Sequence, residues 1–259
     1  MELHTSVSKN VLVTRPADQS IELCKGIESM GWECTSFPVI EIIKTNATSL
    51  LRTVANNFKI YHIALFVSAN AVTYGLRWLK QNHLNWPQGI LIGAVGKNTA
   101  KALAEQGSLR VDLAPEQKFD SEALLALNGL KNIQNKNIII FRGNGGREHL
   151  ANTLRARGAS VDYAEVYERR RPAGTIASIL SEKQRKHINI AVSTSNEGLK
   201  NLHIMTEEAI RPWLLDLHLV VLSSRAVVAA KQLGFKHQPL IAAQASNMAI
   251  LETIKKMSL

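Results

Sequence analysis

The sequence predicts an α/β protein made of two similar, doubly wound parallel-sheet lobes. Two observations support this prediction. Short, nearly continuous apolar runs alternate with amphipathic segments along the chain, as is typical of parallel strands buried on both faces. The pattern also occurs twice: Arg15 and Glu41 of the first copy correspond to Arg142 and Glu168 of the second, each pair 127 positions apart. A protein with two similar lobes offers a cleft, which is a common place for a ligand.

The individual elements follow from the same patterns. Strands are predicted at 10–13, 33–37, 62–66, 90–95, 137–141, 160–163, 189–192 and 218–222. Amphipathic helices are predicted at 19–30, 97–106, 123–127, 147–157 and 226–233. The glycines at 31, 107, 158 and 234 are expected to end four of these helices, because glycine readily adopts the left-handed conformation found there. Asp120 is expected to cap the helix at 123–127.

The repeat also predicts how the chain divides into domains. Each copy of the first strand–helix–strand unit is followed by an extended, β-prone segment, 38–43 in one copy and 164–172 in the other. If both segments cross between lobes, lobe one is discontinuous. It then contains residues 1–37 and 173–259, lobe two contains 44–163, and the two crossings pair as a two-stranded β linker that acts as a hinge. The alternative is two sequential domains that divide near residues 131–137.

Composition limits the classes of partner. The net charge of +10 and the pI near 9.7 fit nucleic acid, an anionic membrane surface or a polyanionic small molecule. The sequence has no nucleic-acid-binding motif, and its few aromatic residues are not interleaved with basic ones, so no nucleic-acid partner is expected. It has no apolar run of membrane-spanning length and no secretory signal, so we expect no membrane partner and a cytoplasmic location. Cys24 and Cys34 lack metal-binding spacing and are expected to be inert thiols.

Several segments, in their order and spacing, resemble the uroporphyrinogen-III synthase family. The segments are Leu-Val-Thr-Arg-Pro at 12–16, Phe-Pro-Val-Ile-Glu at 37–41, Phe-Val-Ser-Ala-Asn-Ala-Val at 66–72, Ala-Val-Gly-Lys-Asn-Thr-Ala at 94–100, Ile-Ile-Phe-Arg-Gly-Asn-Gly-Gly-Arg-Glu at 139–148, Arg-Gly-Ala at 157–159, Val-Tyr-Glu-Arg at 166–169 and Val-Ser-Thr-Ser at 192–195. The resemblance covers almost the whole chain. It implies two α/β lobes joined by a two-stranded linker.

The resemblance also implies an activity. A member of this family removes water from hydroxymethylbilane, inverts the last pyrrole ring and closes the macrocycle to uroporphyrinogen III, whereas spontaneous closure gives isomer I. No metal and no organic cofactor are implied. The expected partners are the substrate and the preceding enzyme, hydroxymethylbilane synthase, with direct binding of that enzyme left open, and the protein is expected to act as a monomer. The competing hypothesis is a non-catalytic, two-lobed protein that binds or senses an anionic ligand.

The substrate carries eight carboxylates, so binding requires many hydrogen-bond donors. Backbone N–H groups at helix N-termini supply such donors, and the predicted turns lie at the carboxyl ends of strands, where open α/β sheets bind ligands. The candidate binding residues are Thr14, Arg15, Ser68, Ala69, Asn70, Gly96, Lys97, Thr99, Arg142, Gly143, Asn144, Gly145, Ser193, Thr194, Ser195 and Ser224. Their serines and threonines are expected to cap helices as well.

The glycine-rich turn at 143–146 has two interpretations. It is not a P-loop, because no Gly-Lys-Ser/Thr follows, and it is not a dinucleotide fingerprint, because Glu148 stands where the third glycine belongs. Close approach of its backbone to a carboxylate and a purely structural turn both remain open.

By resemblance, Ser68, Thr99, Tyr167 and Ser193 match positions that line the family's cleft. Tyr167 is the candidate catalytic residue, since its phenol can donate a proton to the departing hydroxyl. The alternative role for Tyr167 is a linker tyrosine packed against a lobe.

Overall fold

The computed structural model describes residues 9–46, 48–146 and 148–257. Over these residues the chain forms two compact units. The first contains 9–41 and 170–257, and the second contains 42–169. Each unit has a five-stranded sheet, which confirms the predicted α/β class with parallel sheets.

The described strands are β1 Asn10–Val13, β2 Glu33–Ser36, β3 Glu41–Lys44, β4 Ile63–Phe66, β5 Leu91–Ala94, β6 Asn137–Gly143, β7 Ser160–Arg170, β8 Ile188–Val192, β9 His218–Val221 and β10 Leu240–Ile241. The described helices are α1 Ala17–Glu28, α2 Ser49–Asn56, α3 Ala69–Gln81, α4 Lys97–Gly107, α5 Ser121–Leu125, α6 His149–Ala156, α7 Ile176–Ile179, α8 Glu182–His187, α9 Asn196–Ile204, α10 Arg211–Leu215, α11 Ser224–Leu233 and α12 Asn247–Lys255. All eight predicted strands are present within a residue or two of their expected bounds, apart from β7, which runs on to Arg170.

The sheet of the first unit has the strand order β2-β1-β8-β9-β10, and its pairings are parallel. Alternate side chains of β1 point to opposite faces, as the two-residue period of a strand requires. Val11 and Val13 pack with Leu23 and Ile27 of α1, and α12 completes this face.

The sheet of the second unit has the order β5-β4-β6-β7-β3, with parallel pairing among β4, β5, β6 and β7. The strands β5, β4, β6 and β7 hold the places that β2, β1, β8 and β9 hold in the first sheet. The fifth place, held by β10 in the first sheet, is taken by β3, which precedes the other four strands in the chain. One face packs against α2, α3 and α4, with Phe66 and Phe141 at its centre. The other face, with Leu65 and Ile140, packs against α5 and α6.

Three of the four predicted helix-ending glycines behave as expected. Gly31, Gly158 and Gly234 all have positive φ angles, of 77°, 83° and 92°. Gly107 does not: it is the last residue of α4, and Ser108 takes the left-handed conformation instead, with φ of 49°. The expected cap at Asp120 is confirmed, since its side chain accepts a 2.8 Å hydrogen bond from the Ala123 N–H.

The two extended segments after each repeat copy lie next to each other. β3 and β7 are neighbours at one edge of the second unit's sheet. At their ends, Arg170 Nε lies 2.8 Å from Glu41 Oε2 in an exposed ion pair. The predicted domain bounds and the hinge role of these segments stay predictions.

Cys24 of α1 and Cys34 of β2 form a disulfide, with 5.3 Å between their α-carbons. The expectation of two inert thiols is therefore wrong. The physical reason is the tight return of the chain after α1, which packs this helix directly against β2. Among the described residues, no helix has the length and apolar character needed to cross a bilayer.

Helix α3 approaches its sheet closely because residue 75 has no side chain. A Cβ at Gly75 would lie 2.9 Å from Phe141 Cδ1 and 3.1 Å from Phe66 Cε1. These two rings stack at 4.5 Å between centroids, so neither moves aside without displacing the other. Gly75 thereby sets the height of α3 above the strands, and with it the position of the helix N-terminus.

We predict that Gly75→Ala lowers the free energy of unfolding by about 1–3 kcal/mol, the usual cost of overpacking a core. The loss is expected although alanine is the better helix former. Lys80→Ala on the exposed side of the same helix is the matched control and should stay within about 0.5 kcal/mol of wild type. Urea unfolding measures both, and a Gly75→Ala protein as stable as wild type would contradict this account of the packing.

Candidate active site

In each sheet the strand order reverses once, between β1 and β8 in the first unit and between β4 and β6 in the second. At such a switch point the connections leave to opposite faces and open a crevice at the carboxyl ends of the strands, where α/β proteins bind ligands. Thr14 and Ser193 follow the strands that flank the first switch point, and Ser68 and the Gly143 turn lie at the second. The predicted turns therefore occupy the positions that the sequence pattern assigns to them.

A β-bulge determines which way Tyr167 faces. Strands β6 and β7 pair in regular register as far as Arg142 with Glu165, and then Gly143 pairs with Tyr167, which leaves Val166 as an extra residue. Without the bulge, Tyr167 would share a face with Tyr163, four residues earlier on the same strand. Instead Val166 and Tyr167 both join the core with Phe66 and Phe141, as bulges beside functional sites commonly re-aim a side chain.

Tyr167 is held from three sides and is 4% exposed. Its ring lies against Gly143, where an added Cβ would come within 2.6 Å of Cε2 and 2.7 Å of Cζ. Its hydroxyl oxygen lies 3.2 Å from Ser68 Oγ, and its backbone carbonyl accepts a 2.8 Å hydrogen bond from the Asn144 N–H. The phenol oxygen therefore has a fixed place beside the start of α3.

Ser68 joins this phenol to the N-terminus of α3. It is the N-cap residue, and its Oγ accepts a 3.1 Å hydrogen bond from the Ala71 N–H. The second lone pair and the hydrogen of the Ser68 hydroxyl remain available, so Ser68 can either donate to Tyr167 or accept from it. Ala69 and Asn70 follow as the first two helical residues.

A pocket of about 270 Å³ opens at the switch point of the second unit, and we call it the switch-point pocket. It is lined by Val67, Ser68, Ser121, Ile140, Arg142, Gly143, Gly145, Gly146, Leu150, Ala151, Tyr163, Tyr167 and Arg169. Five predicted site residues are brought together here, namely Ser68, Arg142, Gly143, Gly145 and Tyr167. The other predicted residues of this unit, Ala69, Asn70, Gly96, Lys97, Thr99 and Asn144, are not in its lining.

A larger cavity of about 770 Å³ lies at the amino ends of the same strands. Tyr61, Trp86 and Lys136 are among its lining residues, and none of its lining residues is a predicted site residue. Since ligands of parallel α/β sheets bind at the opposite edge, we place the candidate site in the smaller pocket.

Arg142 is almost completely buried, with 5% exposure. Its Nη1 donates to Glu148 Oε1 at 2.9 Å, and its Nε donates to the carbonyls of Gly143 and Gly145 at 3.2 and 3.1 Å. The guanidinium carbon lies 4.4 Å from the centre of the Tyr163 ring. Its Nη2 is buried and has no hydrogen-bond partner among the described residues. Such an orphan donor on a buried cation is uncommon and indicates a place for an acceptor.

Tyr163 and Glu148 form a hydrogen-bonded pair at the rim of the pocket. The Tyr163 hydroxyl donates to Glu148 Oε2 at 2.5 Å. This hydrogen bond, followed by that from Arg142, holds the pKa of the Glu148 carboxyl below its ordinary value of 4.5. Burial, with the same carboxylate as a second cause, raises the pKa of the Tyr163 phenol above 10.0. At neutral pH the pair is thus a carboxylate and a neutral phenol.

The turn after β5 is arranged differently from the prediction. Gly96 is the N-cap of α4 and makes no side-chain cap, and Lys97 is the first helical residue. Thr99 lies inside the first turn of the helix and is 4% exposed, so it is not a capping residue. Thr99 is a buried residue of α4 and does not lie in the turn at the end of β5.

In the first unit, Thr14 and Arg15 are tied into the structure. Thr14 Oγ1 donates to the Val192 carbonyl at 2.8 Å, which joins the two strands at the switch point. Arg15 Nη1 donates to Asn247 Oδ1 at 2.7 Å, while its Nε is buried without a partner among the described residues. Burial lowers the pKa of the Arg15 guanidinium, and Glu22 opposes that effect.

The second-copy serines divide into capping and non-capping residues. Ser195 caps α9 by accepting from the Gly198 N–H at 2.9 Å, and Ser193 is buried and donates to the Ser195 carbonyl at 3.3 Å. Thr194 lies between them. In the turn after β9 the cap is Ser223, which accepts from the Ala226 N–H, whereas Ser224 is the exposed first residue of α11. The expectation that Ser224 caps a helix is wrong by one residue.

Sequence reasoning missed four polar residues of the switch-point pocket and its rim, namely Ser121, Tyr163, Arg169 and Glu148. Tyr163 and Tyr167 both line the pocket, but their even spacing does not predict this, because the bulge at Val166 turns Tyr167 away from the face of Tyr163. Glu148 closes the Arg-Gly-Asn-Gly-Gly-Arg-Glu segment, and its pairing with Tyr163 has no signal in sequence. Among the described residues, no group of three or more His, Cys, Asp or Glu side chains is suited to hold a metal ion.

The comparisons with known proteins agree with this geometry. The family model described as "Uroporphyrinogen-III synthase HemD" matches residues 21–252. The chain is 32% identical over 247 residues to uroporphyrinogen-III synthases of Salmonella typhimurium and of Escherichia coli, and each alignment covers 95% of this chain and 100% of the relative.

Two crystal structures share the fold. One is a uroporphyrinogen III synthase mutant of Thermus thermophilus, with a TM-score of 0.61, 17% identity and coverage of 95% of this chain and 97% of that one. The other is the uroporphyrinogen-III synthetase of Helicobacter pylori 26695, with a TM-score of 0.60, 16% identity and coverage of 96% and 100%.

We predict that Glu148→Gln lowers the melting temperature at neutral pH and that the difference from wild type shrinks in acid. Because the folded-state pKa of Glu148 is depressed, its contribution is present above the unfolded-state value and is lost as the pH falls through the folded-state value. Melting curves at about pH 7 and below about pH 4 measure this difference. Glu116→Gln is the control, an exposed carboxylate of the same unit. A difference from wild type that is equal at both pH values would show that Glu148 acts through packing and not through its charge.

Proposed function

The chain belongs to the uroporphyrinogen-III synthase family, and from this premise we propose how the switch-point pocket of its second unit serves the reaction. The protein is a lyase of tetrapyrrole biosynthesis and acts on a tetrapyrrole substrate. In the proposed reaction the linear substrate is hydroxymethylbilane. It loses water, its last pyrrole ring is inverted, and the product is the closed ring of uroporphyrinogen III.

The observation that carries the proposal is the setting of Tyr167. A phenol with a fixed hydroxyl lies in a pocket at the carboxyl ends of β4 and β6, 3.2 Å from Ser68. The pocket has no Asp or Glu among its described lining residues. Its other phenol, that of Tyr163, donates its hydrogen bond to Glu148, which leaves the Tyr167 phenol as the proton donor. Tyr167 is therefore our candidate general acid.

The first chemical step is the departure of the hydroxyl. The carbon–oxygen bond of the hydroxymethyl group breaks, and the Tyr167 phenol transfers its proton to the leaving oxygen, which departs as water. The positive charge left on the carbon is delocalised into its pyrrole ring. When the ring closes, a pyrrole carbon loses a proton, and this proton restores the phenol, so the net change is the loss of one water.

Ser68 supports this step in two ways. Its Oγ lies 3.2 Å from the Tyr167 oxygen, a contact in which either oxygen can donate; in the proposed scheme Ser68 donates, which leaves the phenol proton for the substrate. As the phenolate forms, the same hydrogen bond and the positive end of the α3 dipole stabilise its charge. In this scheme Ser68 is a positioning residue and Tyr167 is the catalytic residue.

Binding of the eight carboxylates is assigned to the strand-end turns of both units. In the second unit these are Ser68, Ala69, Asn70, Gly96, Lys97, Thr99, Arg142, Gly143, Asn144 and Gly145. In the first unit they are Thr14, Arg15, Ser193, Thr194, Ser195 and Ser224. The support is their place at carboxyl ends of parallel strands and at the starts of helices, where backbone N–H groups are unpaired within the helix. Many such contacts hold a flexible chain in one conformation, and this lowers the barrier to ring closure.

Several finer expectations stay predictions. They are action as a monomer, a cytoplasmic location and partnership with hydroxymethylbilane synthase. Size-exclusion chromatography of the protein alone and mixed with that synthase tests the first and the last.

We predict that the protein converts freshly made hydroxymethylbilane to isomer III. Spontaneous closure gives isomer I, so the ratio of the two isomers, separated chromatographically after oxidation, measures the activity directly. Heat-denatured protein is the control. Tight binding of the substrate with only isomer I formed would favour the alternative of a non-catalytic binding protein.

We predict that Tyr167→Phe lowers kcat by about 10²-fold, within the usual contribution of a general acid, while the melting temperature stays near that of wild type. Tyr61→Phe is the matched control. It removes a hydrogen-bonded phenol hydroxyl from the same unit, 2.8 Å from Asp162, and lies at the opposite edge of the sheet. Equal rates for Tyr167→Phe and wild type would make Tyr167 structural and end the acid assignment.

A further inference from the structure

We propose that the switch-point pocket receives a single pyrrole ring of the substrate, the terminal ring that carries the hydroxymethyl group, and that Arg142 binds a carboxylate of that ring. The proposal rests on the function proposed above. It assigns one part of the substrate to one place in the second unit.

The first argument is size. The pocket measures about 270 Å³. One pyrrole ring with its short acid chains is of that order, whereas a linear tetrapyrrole is several times larger. The proposal therefore places one ring in the pocket at a time.

The second argument is the chemistry of the walls. Its apolar lining residues are Val67, Ile140, Leu150 and Ala151. Its polar lining residues are Ser68, Ser121, Tyr163, Tyr167, Arg142 and Arg169. A flat, partly apolar ring with acidic side chains suits this lining, because it offers both apolar contact and acceptors for the guanidinium groups.

The third argument is the orphan donor of Arg142. Its Nε and Nη1 are engaged, but Nη2 has no acceptor among the described residues. Glu165 Oε1 is 3.8 Å from Nε, which is beyond hydrogen-bond distance, so it does not complete the set. A guanidinium presents its donors as a fork that matches a carboxylate, and a substrate carboxylate would provide the missing acceptor.

The proposal requires the glycine turn over Arg142 to shift. Gly145 and Gly146 have φ angles of 68° and 120°, and a Cβ at Gly146 would lie 2.9 Å from Nη2. Residue 146 must be glycine for the guanidinium to fit beneath it. Nη2 is closed off from solvent, so the carboxylate reaches it when this turn shifts.

The identity of the ring follows from Tyr167. The phenol that protonates the departing hydroxyl lines the same pocket as Arg142. The ring in the pocket is therefore the one bearing that hydroxyl, which is the terminal ring. While that ring is held in the pocket, the pyrrole ring at the other end of the chain is free to turn over before closure.

The test uses a stable monopyrrole with one acetate and one propionate chain, and its diamide, as probes of the full chain. Calorimetry should show binding of the diacid and little or none of the diamide, and the diacid should inhibit isomer III formation competitively. Arg142→Lys should weaken diacid binding at least tenfold, since lysine lacks the fork of donors. Melting curves report whether this buried substitution is tolerated.

Arg169→Gln provides a second variant, at an exposed residue, and its melting curve reports whether the fold is kept. It should weaken the diacid several-fold. Lys136→Gln removes the same charge at the opposite edge of the sheet and should leave binding unchanged. Equal weakening by Lys136→Gln and Arg169→Gln would overturn the proposal in favour of a general charge effect.

The outcomes separate this proposal from the proposed function. Isomer III formation with no binding and no competition by the diacid would overturn the one-ring pocket and leave the function intact. Diacid binding that depends on Arg142 and Arg169, without isomer III formation, would support the pocket and overturn the catalytic assignment.

Discussion

The candidate site depends on one steric constraint, which is the absence of a side chain at residue 143. The ring of Tyr167 occupies the space that a Cβ there would take. The bulge at Val166 turns Tyr167 toward that space. The resulting position brings the phenol oxygen to Ser68 at the start of α3, and α3 is in turn seated by Gly75 over the stacked rings of Phe66 and Phe141. Two glycines on different elements thus fix the distance between a phenol and a helix N-terminus.

The glycine turn that begins at Gly143 also holds the positive charge of Arg142 in place. Arg142 precedes Gly143 and passes beneath the glycine loop, where two carbonyls share its Nε–H and Glu148 accepts from Nη1. The Tyr163 ring covers its face. A cation held this firmly loses little conformational entropy when it binds an anion, since its rotamer is already fixed. A firmly held arginine and a firmly held tyrosine therefore lie within one pocket.

Much of the fold was predictable because it is written in local patterns. Apolar runs located the parallel strands, and positive-φ glycines at 31, 158 and 234 marked helix ends. The strand-end turns were correctly located as well. What could not be predicted depends on contacts between distant segments. The bulge at Val166 arises from the register of β6 against β7, the pairing of Tyr163 with Glu148 crosses two elements, and the bond between Cys24 and Cys34 follows from how α1 returns onto β2. The short strand β10, with two residues, has too little sequence to carry a pattern.

The first unit is built from two separate segments of the chain, and this has a consequence for synthesis on the ribosome. All five strands of the second sheet lie between Glu41 and Arg170, so that sheet can be completed while the nascent chain is still growing. In the first sheet Val11 pairs with Ile190, so β1 lacks one neighbour until most of the chain has been translated. A lone strand–helix–strand unit is marginal in water, and its open edge invites wrong pairings. The nascent protein therefore carries an unfinished N-terminal sheet through most of its translation.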